Sequence, residues 1–270
     1  MGVMYFIDNK LKRYLIRGKG LFSPAETGAV TAELSCIREY DVNIWLYSSN
    51  GIVIAFDSGH LDYPYVDREF SKLGIDRHDV KHLFLTHADN DHVGGVDING
   101  RNIFPDAKIY IGKEEKNSID RKEVRFRKGF FRLKTDVTLP DGVTELEENE
   151  TIIINDIRVE SFFTPGHTRG HTCYIINNEI LITGDCIAIN SKGCFSFFDF
   201  FTQNIVLNKK SVKKLQEHIS GKTIKLVCTG HSGVYEFSEK TFKFIEHSAA
   251  FSANNPFDPE APYDPYNVFE

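Results

Sequence analysis

The run Thr86-His87-Ala88-Asp89-Asn90-Asp91-His92-Val93-Gly94-Gly95 places four metal-ligating side chains, His87, Asp89, Asp91 and His92, within six residues. Imidazole suits zinc, iron and copper, and carboxylate also suits harder ions such as manganese. Two imidazoles and two carboxylates this close are costly to bury without a partner, and a metal supplies one. The same residue types also make ordinary solvated turns, so this segment alone leaves both readings open.

Three later segments repeat the arrangement. Ile157-Arg158-Val159-Glu160-Ser161-Phe162-Phe163 runs into Thr164-Pro165-Gly166-His167-Thr168-Arg169-Gly170-His171. Glu179-Ile180-Leu181-Ile182 runs into Thr183-Gly184-Asp185, and Ile224-Lys225-Leu226-Val227-Cys228 into Thr229-Gly230-His231. Val80-Lys81-His82-Leu83-Phe84-Leu85, ahead of the first run, reads as a mostly buried strand. Each apolar run ends in a small or turn residue and then a His or Asp. Four strands that end in ligands imply one site at one edge of a sheet.

The other elements follow from local pattern. Residues 41–47 and 52–56 read as a hairpin, because Ser49-Asn50-Gly51 carries the Asn-Gly turn signal. Residues 65–73 read as a helix, with Val66, Phe70 and Leu73 on one face and Gly74 just beyond its end. Strands are expected at 108–111, 152–154, 157–163, 173–176 and 180–183, short opening strands at 4–7 and 11–16, and helices at 208–219 and 238–250. The domain is expected to span 1–253. Residues 254–270 form a tail holding Pro256, Pro259, Pro262 and Pro265, which cannot be a helix or a central strand; it frays or lies along a surface, such as that of a partner subunit.

The series THADNDHVGG, TPGHTRGH, TGD and TGH resembles the metallo-β-lactamase superfamily, from about Asn43 to His231 and in the family's order. The resemblance implies an α/β fold, a four-layer αββα sandwich of two mixed β-sheets. It implies two divalent metal ions, the first held by His87, Asp89 and His167, the second by Asp91, His92 and His231, with Asp185 between them. Asp57 and His171 are implied to support the ligands from behind. One position departs from the family pattern His-x-His-x-Asp-His: its second His is Asp89 here. His87, Asp89 and His167 then make a two-His, one-carboxylate set, as in non-haem iron sites, so the metal is zinc, or iron or manganese given Asp89.

Two such ions roughly 3.5–4 Å apart can share a water and lower its pKa from 15.7 toward about 7. The expected activity is therefore a dinuclear hydrolase that uses a metal-bridging hydroxide to cleave a small-molecule ester, thioester, lactone or phosphoester, with Asp91 as the catalytic group that orients the water or takes its proton. The alternatives are a non-haem iron oxidoreductase acting on oxygen, nitric oxide or a persulfide, and a non-catalytic metal-binding protein. Secreted metallo-β-lactamases have Cys where this chain has Asp185, which argues against antibiotic hydrolysis. The stretch after His231 leaves little room for the helical domain with which hydroxyacylglutathione hydrolases hold glutathione.

Composition narrows the partners. The chain has 270 residues, 41% of them hydrophobic, and a formal charge of -6, which argues against general nucleic-acid binding. No apolar run approaches the roughly 18 residues of a membrane span. The five cysteines are scattered and odd in number, the pattern of a reduced, cytoplasmic protein. Two segments bear on the substrate. Residues 121–134 hold a basic block in which Arg125, Arg127 and Lys128 could grip an anionic group, or else form a solvated face. Phe195-Ser196-Phe197-Phe198-Asp199-Phe200-Phe201 could wall an apolar pocket through Phe197 and Phe198, pack in the core, or bury a homodimer contact. His60, His78, His82, His218 and His247 read as ordinary surface or core residues.

If Asp89 tunes the site, Asp89→His raises affinity for zinc relative to Fe(II) and manganese, since neutral imidazole is a good zinc ligand. Metal content after parallel anaerobic reconstitution with the three ions measures this, and identical preferences in both proteins would show that Asp89 does not tune the site.

Overall fold

The computed structural model describes residues 21–128 and 131–249, with the side chains of 125–134 outside that description. The expected strands at 4–7 and 11–16 and the tail at 254–270 lie outside the described residues.

Two sheets carry the fold. The first comprises β1 (Gly28–Ala29), β2 (Leu34–Glu39), β3 (Val42–Ser49), β4 (Ile52–Phe56), β5 (Val80–Leu85) and β6 (Lys108–Gly112). Beyond β6 it is completed by β9 (Thr144–Leu146), in the order β1-β2-β3-β4-β5-β6-β9. It is antiparallel as far as β4 and parallel from β4 onward. Between β6 and β9 the chain forms a separate two-stranded ribbon, β7 (Val124–Lys128) and β8 (Phe131–Lys134). The second sheet contains β10 (Thr151–Ile154), β11 (Ile157–Phe163), β12 (Thr172–Ile176), β13 (Ile180–Ile182), β16 (Leu226–Cys228) and β17 (Val234–Glu236), in that order, with β13 and β16 parallel. A third sheet of β14 (Ile187–Asn190), β15 (Gly193–Ser196) and β18 (Phe244–Ser248) packs beside it.

Period-2 alternation divides the side chains among three apolar layers. In β3, Ile44 and Leu46 point to the outer core while Trp45 and Tyr47 point inward; in β5, Leu83 and Leu85 point out and Phe84 in. The second sheet does the same, with Tyr174 and Ile176 facing the first sheet and Cys173 and Ile175 facing away. Strands buried on both faces must be apolar throughout, which is why these segments read as continuous runs. Between the sheets, Phe84 stacks on Tyr110 with centroids 4.5 Å apart and meets Phe56 and Tyr174. Helix α1 (Val66–Leu73) covers the outer face of the first sheet through Val66 and Phe70. Further on come the short α2 (Asn90–Val93) and α3 (Lys113–Asp120). Helix α4 (Ile205–Ile219) covers the second sheet through Val212, Leu215 and Ile219. The result is the expected αββα sandwich.

Local signals hold where they are chemical. Asn50 and Gly51 have φ of 46° and 78°, the paired left-handed residues of a tight hairpin turn. Gly74 ends α1 with φ 65°. Helix α4 starts three residues earlier than expected, because the side chain of Asn204 caps it by accepting from Leu207 N at 2.9 Å. The helix expected at 238–250 is wrong. Its described residues, 238–249, hold a turn followed by β18, which pairs with β15, and Phe244 stacks on Phe195 at 5.1 Å. Thr241, Phe242, Phe244 and Ile245 are β-branched or aromatic residues suited to a pleated surface, and the neighbouring strand β15 decided between two weak local preferences.

Phe84→Ala should destabilise the fold by about 3–5 kcal/mol through the cavity left between the sheets. Ile153→Thr, at a side chain 72% exposed on β10, should stay within about 0.5 kcal/mol of wild type. Urea unfolding of both variants checks the contrast.

Candidate metal centre

The sequence-predicted ligands converge from four strand ends. β5 delivers His87 and the loop before α2, β11 delivers His167, β13 delivers Asp185 and β16 delivers His231. These strands run in one direction, so their C-terminal ends share one edge. Cross-sheet bonds fix that edge: Asn43 N donates to Gly230 O at 2.8 Å, Thr172 N to Thr86 O at 2.8 Å, Trp45 Nε1 to Thr229 O at 3.0 Å and the Tyr174 hydroxyl to Leu85 O at 2.7 Å.

Asp185 lies at the centre. Its Oδ2 is 3.1 Å from His231 Nε2, 3.5 Å from His92 Nε2, 3.8 Å from His167 Nε2 and 4.0 Å from His87 Nε2. Asp89 Oδ2 lies 3.3 Å from His167 Nε2 and 3.5 Å from His87 Nε2. Asp91 Oδ2 lies 3.5 Å from His231 Nε2. All seven residues are thus brought together, with Asp89 beside His87 and His167, Asp91 beside His231, and Asp185 facing all four imidazoles. The histidines and Asp185 are buried, while the side chains of Asp89 and Asp91 are 18% and 21% exposed and form the open rim.

The imidazoles are oriented from behind. His92 Nδ1 donates to Asp57 Oδ2 at 2.8 Å, His231 Nδ1 to the carbonyl of Asp41 at 2.6 Å, and His87 Nδ1 to Thr86 Oγ1 at 2.9 Å. The Thr86 hydroxyl donates in turn to Asp57, which also accepts from Thr86 N at 2.8 Å. With Nδ1 donating, Nε2 is the nitrogen free to bind a metal. Asp57 therefore bonds to both Thr86 and His92 from behind the motif loop. His171 acts on Asp185 instead: its Nε2 accepts from Asp185 N at 3.1 Å and its Nδ1 donates to Thr164 Oγ1 at 2.7 Å.

The donor set fits divalent ions. His87 Nε2, His92 Nε2 and Asp185 Oδ1 are fully buried and make no hydrogen bond, an expensive arrangement unless something else binds them. There is no room for a larger residue beside them: a Cβ on Gly230 would sit 2.2 Å from Asp185 Oδ1.

Several contributors were missed in the sequence. Glu115, on α3, is fully buried and accepts from Ala88 N at 2.7 Å and Gly170 N at 2.8 Å, tying the loop of His87 and Asp89 to the loop of His167. Burial raises its pKa, although those backbone donors oppose the shift. An acidic residue in a helix's first turn gave no hint of this task. Thr86, Thr164, Thr183 and Thr229 are all buried at the strand ends; their recurrence was visible, but their bonding was not. His60 is buried, pairs with Asp41 Oδ1 at 2.9 Å and lies near Asp91. His78, His82 and His218 bond to Asp106, Tyr110 and Glu160 away from the centre. Phe197 packs on His167, and Phe198 is buried behind it. The ribbon carrying Arg125, Arg127 and Lys128 leads directly into Thr135, whose hydroxyl donates to Ala88 O at 2.6 Å; those basic side chains lie outside the described residues. All five cysteines are buried and free of disulfides.

A family model described as the metallo-beta-lactamase superfamily matches residues 37–231. The chain belongs to the metallo-β-lactamase superfamily. Among curated relatives, it is 31% identical over 116 residues to the "Probable polyketide biosynthesis zinc-dependent hydrolase PksB" of Bacillus subtilis, covering 43% of this chain and 42% of that protein. It is 28% identical over 165 residues to the Beta-lactamase-like protein 2 homolog of Drosophila melanogaster, covering 59% and 50%. It is 26% identical over 163 residues to the Hydroxyacylglutathione hydrolase of Enterobacter sp. (strain 638), covering 60% and 50%. The chain spans about half the length of these relatives or less. Among solved structures, MEM-A1, a subclass B3 metallo-beta-lactamase isolated from a soil metagenome library, superposes with a TM-score of 0.58 at 17% identity, covering 78% of this chain and 81% of that one. At that identity the likeness is one of fold. Among the described residues no helix is long and apolar enough to cross a membrane.

The pKa values give this superfamily member a pH signature. Burial disfavours charge on His231 and His92, but Asp185 outweighs it in both, and His231 rises to about 9. A group whose folded pKa lies above its unfolded value, about 6.5 for His, stabilises fully below that value and loses the contribution as pH rises through the folded pKa. His87 is pushed well below its usual range, first by burial and then by charge on His92, so its window lies below pH 6.5. Chelator-stripped protein should therefore lose thermal stability between about pH 6.5 and pH 9, and His231→Gln should flatten that slope. Melting temperatures across this range supply the check.

Proposed function

We propose that this chain is a metal-dependent hydrolase of a small-molecule ester, thioester, lactone or phosphoester. The observation that carries the reading is the single buried oxygen of Asp185 facing four imidazole Nε2 atoms within 4.0 Å. His87, Asp89 and His167 would hold a first divalent ion, Asp91, His92 and His231 a second, and Asp185 would serve both. Such ions supply a water activated at neutral pH and a Lewis acid for the attacked group. The ions are zinc, or iron or manganese given Asp89. That relatives of this chain carry the word hydrolase in their names supports the same reading.

The chain's own residues divide the remaining work. Asp57, Thr86 and the Asp41 carbonyl keep Nδ1 protonated on three histidines, so that Nε2 faces the reacting centre. His171 and Gly184 hold the backbone of Asp185; a Cβ on Gly184 would lie 2.7 Å from Thr86 Oγ1 and 2.8 Å from His171 Nε2. Asp91, partly exposed at the rim, would take a proton from the attacking water and return it to the leaving group. The surrounding burial excludes bulk water from the floor and strengthens each of these interactions.

A second reading, an iron oxidoreductase, is favoured by one contact set: Asp89 Oδ2 beside His87 and His167 Nε2 makes a two-His, one-carboxylate triad. Assays of the protein loaded in parallel with zinc, manganese and Fe(II) against ester, lactone and phosphodiester substrates should give turnover, and Asp185→Asn should lower metal occupancy and abolish it. Unchanged occupancy and turnover in that variant would overturn the assignment, and activity confined to iron and to a redox substrate would replace hydrolysis with the second reading.

A further inference from the structure

The rims of this centre are chemically unlike. On one side stands the polar, partly exposed loop of Asp89, Asn90 and Asp91. Against two of the histidines that these carboxylates meet, two phenylalanines also close. Phe22 stacks face to face on His231, with centroids 4.7 Å apart and 14° between planes. Phe197 meets His167 edge to face at 4.8 Å and lies 5.9 Å from His231, so it spans both halves of the centre. Phe198 backs both rings, 5.9 Å from Phe22 and 5.2 Å from Phe197. Phe197 and Phe198 are buried in a small core with Leu21 and Phe195, whereas Phe22 is half-buried at the edge of that core.

This arrangement does more than pack. A core needs no ring laid flat on a ligand histidine, and a half-buried phenylalanine beside the reacting position gives apolar surface to whatever binds there. A phosphomonoester brings charged oxygens that such a rim would desolvate without pairing. An aliphatic chain gains instead, by roughly fourfold in affinity for each methylene moved out of water. The polar rim suits the other end of the substrate, where the leaving group departs into solvent past Asp91.

We propose that Phe22 and Phe197 form an acyl-side wall that selects carboxylic esters, thioesters or lactones bearing an apolar acyl chain of several carbons. The proposal rests on the hydrolase reading for its chemistry and on the aromatic rim for its specificity. In the reaction, the oxygen of water bonds to the acyl carbon. The acyl C–O or C–S bond breaks with its electron pair going to the alkoxide or thiolate. One proton of the water ends on that leaving group.

The test uses the metal-loaded protein and the carboxylate products as probes. Acetate, butyrate and octanoate are titrated calorimetrically into wild type, Phe22→Ala and Phe22→Leu, and kinetics are measured on 4-nitrophenyl acetate and octanoate. Phe22 sits at the rim, so both variants should keep the fold, which melting temperatures verify. Octanoate should bind wild type at least about tenfold more tightly than acetate. Phe22→Ala should cut that ratio about fivefold or more, Phe22→Leu should restore most of it, and the loss on the octanoate ester should appear in KM rather than kcat. Equal affinity for acetate and octanoate, or a chain-length preference unchanged in Phe22→Ala, would overturn the wall. Chain-length-selective binding without ester turnover would uphold the wall and sink carboxylic-ester hydrolysis as its chemistry, while turnover without chain-length preference would do the reverse.

Discussion

One buried carboxylate oxygen facing four imidazoles is the interaction on which the rest of the structure depends. Burial alone would push Asp185 toward its neutral form, but the charge on His231 and His92 reverses this and holds its carboxyl well below the usual range. An arrangement of this kind is stable only when every participant is fixed, because a charge in a low-dielectric setting is costly wherever its partners stray. The surroundings of the site can be read as answers to that requirement. Asp57 and Thr86 lock the first motif, His171 fixes the backbone of Asp185, and the glycines at 184 and 230 leave the space that any side chain would fill.

The sandwich supplies the rigidity. Strands from two sheets end at one edge, and backbone bonds between those ends join the sheets where the ligands emerge. Aromatic packing of Phe56, Phe84, Tyr110 and Tyr174 lies directly beneath. Glu115 then links two ligand loops that no strand pairing connects. A site on loops gains precision in this way from a scaffold whose stiffness comes from elsewhere.

Membership of the superfamily accounts for the fold but not for the substrate, since one fold hosts many chemistries and the site decides among them. Two local features distinguish this chain. Asp89 places a carboxylate where the family pattern has a histidine, which bears on the metal. The phenylalanines around His167 and His231 give one rim an apolar character, which bears on what the metal would act upon.

The candidate ligands were legible in the sequence because their chemistry is local: His and Asp directly after an apolar run mark a strand end, and four such ends name one edge. The Asn50-Gly51 turn and the Gly74 helix end were legible for the same reason, since a left-handed backbone conformation restricts the residue itself. The segment at 238–250 was not, because its helix and strand preferences were nearly balanced and β15, far away in sequence, decided the outcome. Nor did Glu115, His60 or Phe22 announce a role. Each acts through a partner tens to hundreds of residues distant, Glu115 on Gly170, His60 on Asp41 and Phe22 on His231. Sequence alone determined which residues could bind metal, because that depends on atom types and spacing. Only the tertiary structure decided what orients those residues and what lies against them, because burial and hydrogen bonding between distant segments exist only once the sheets have packed.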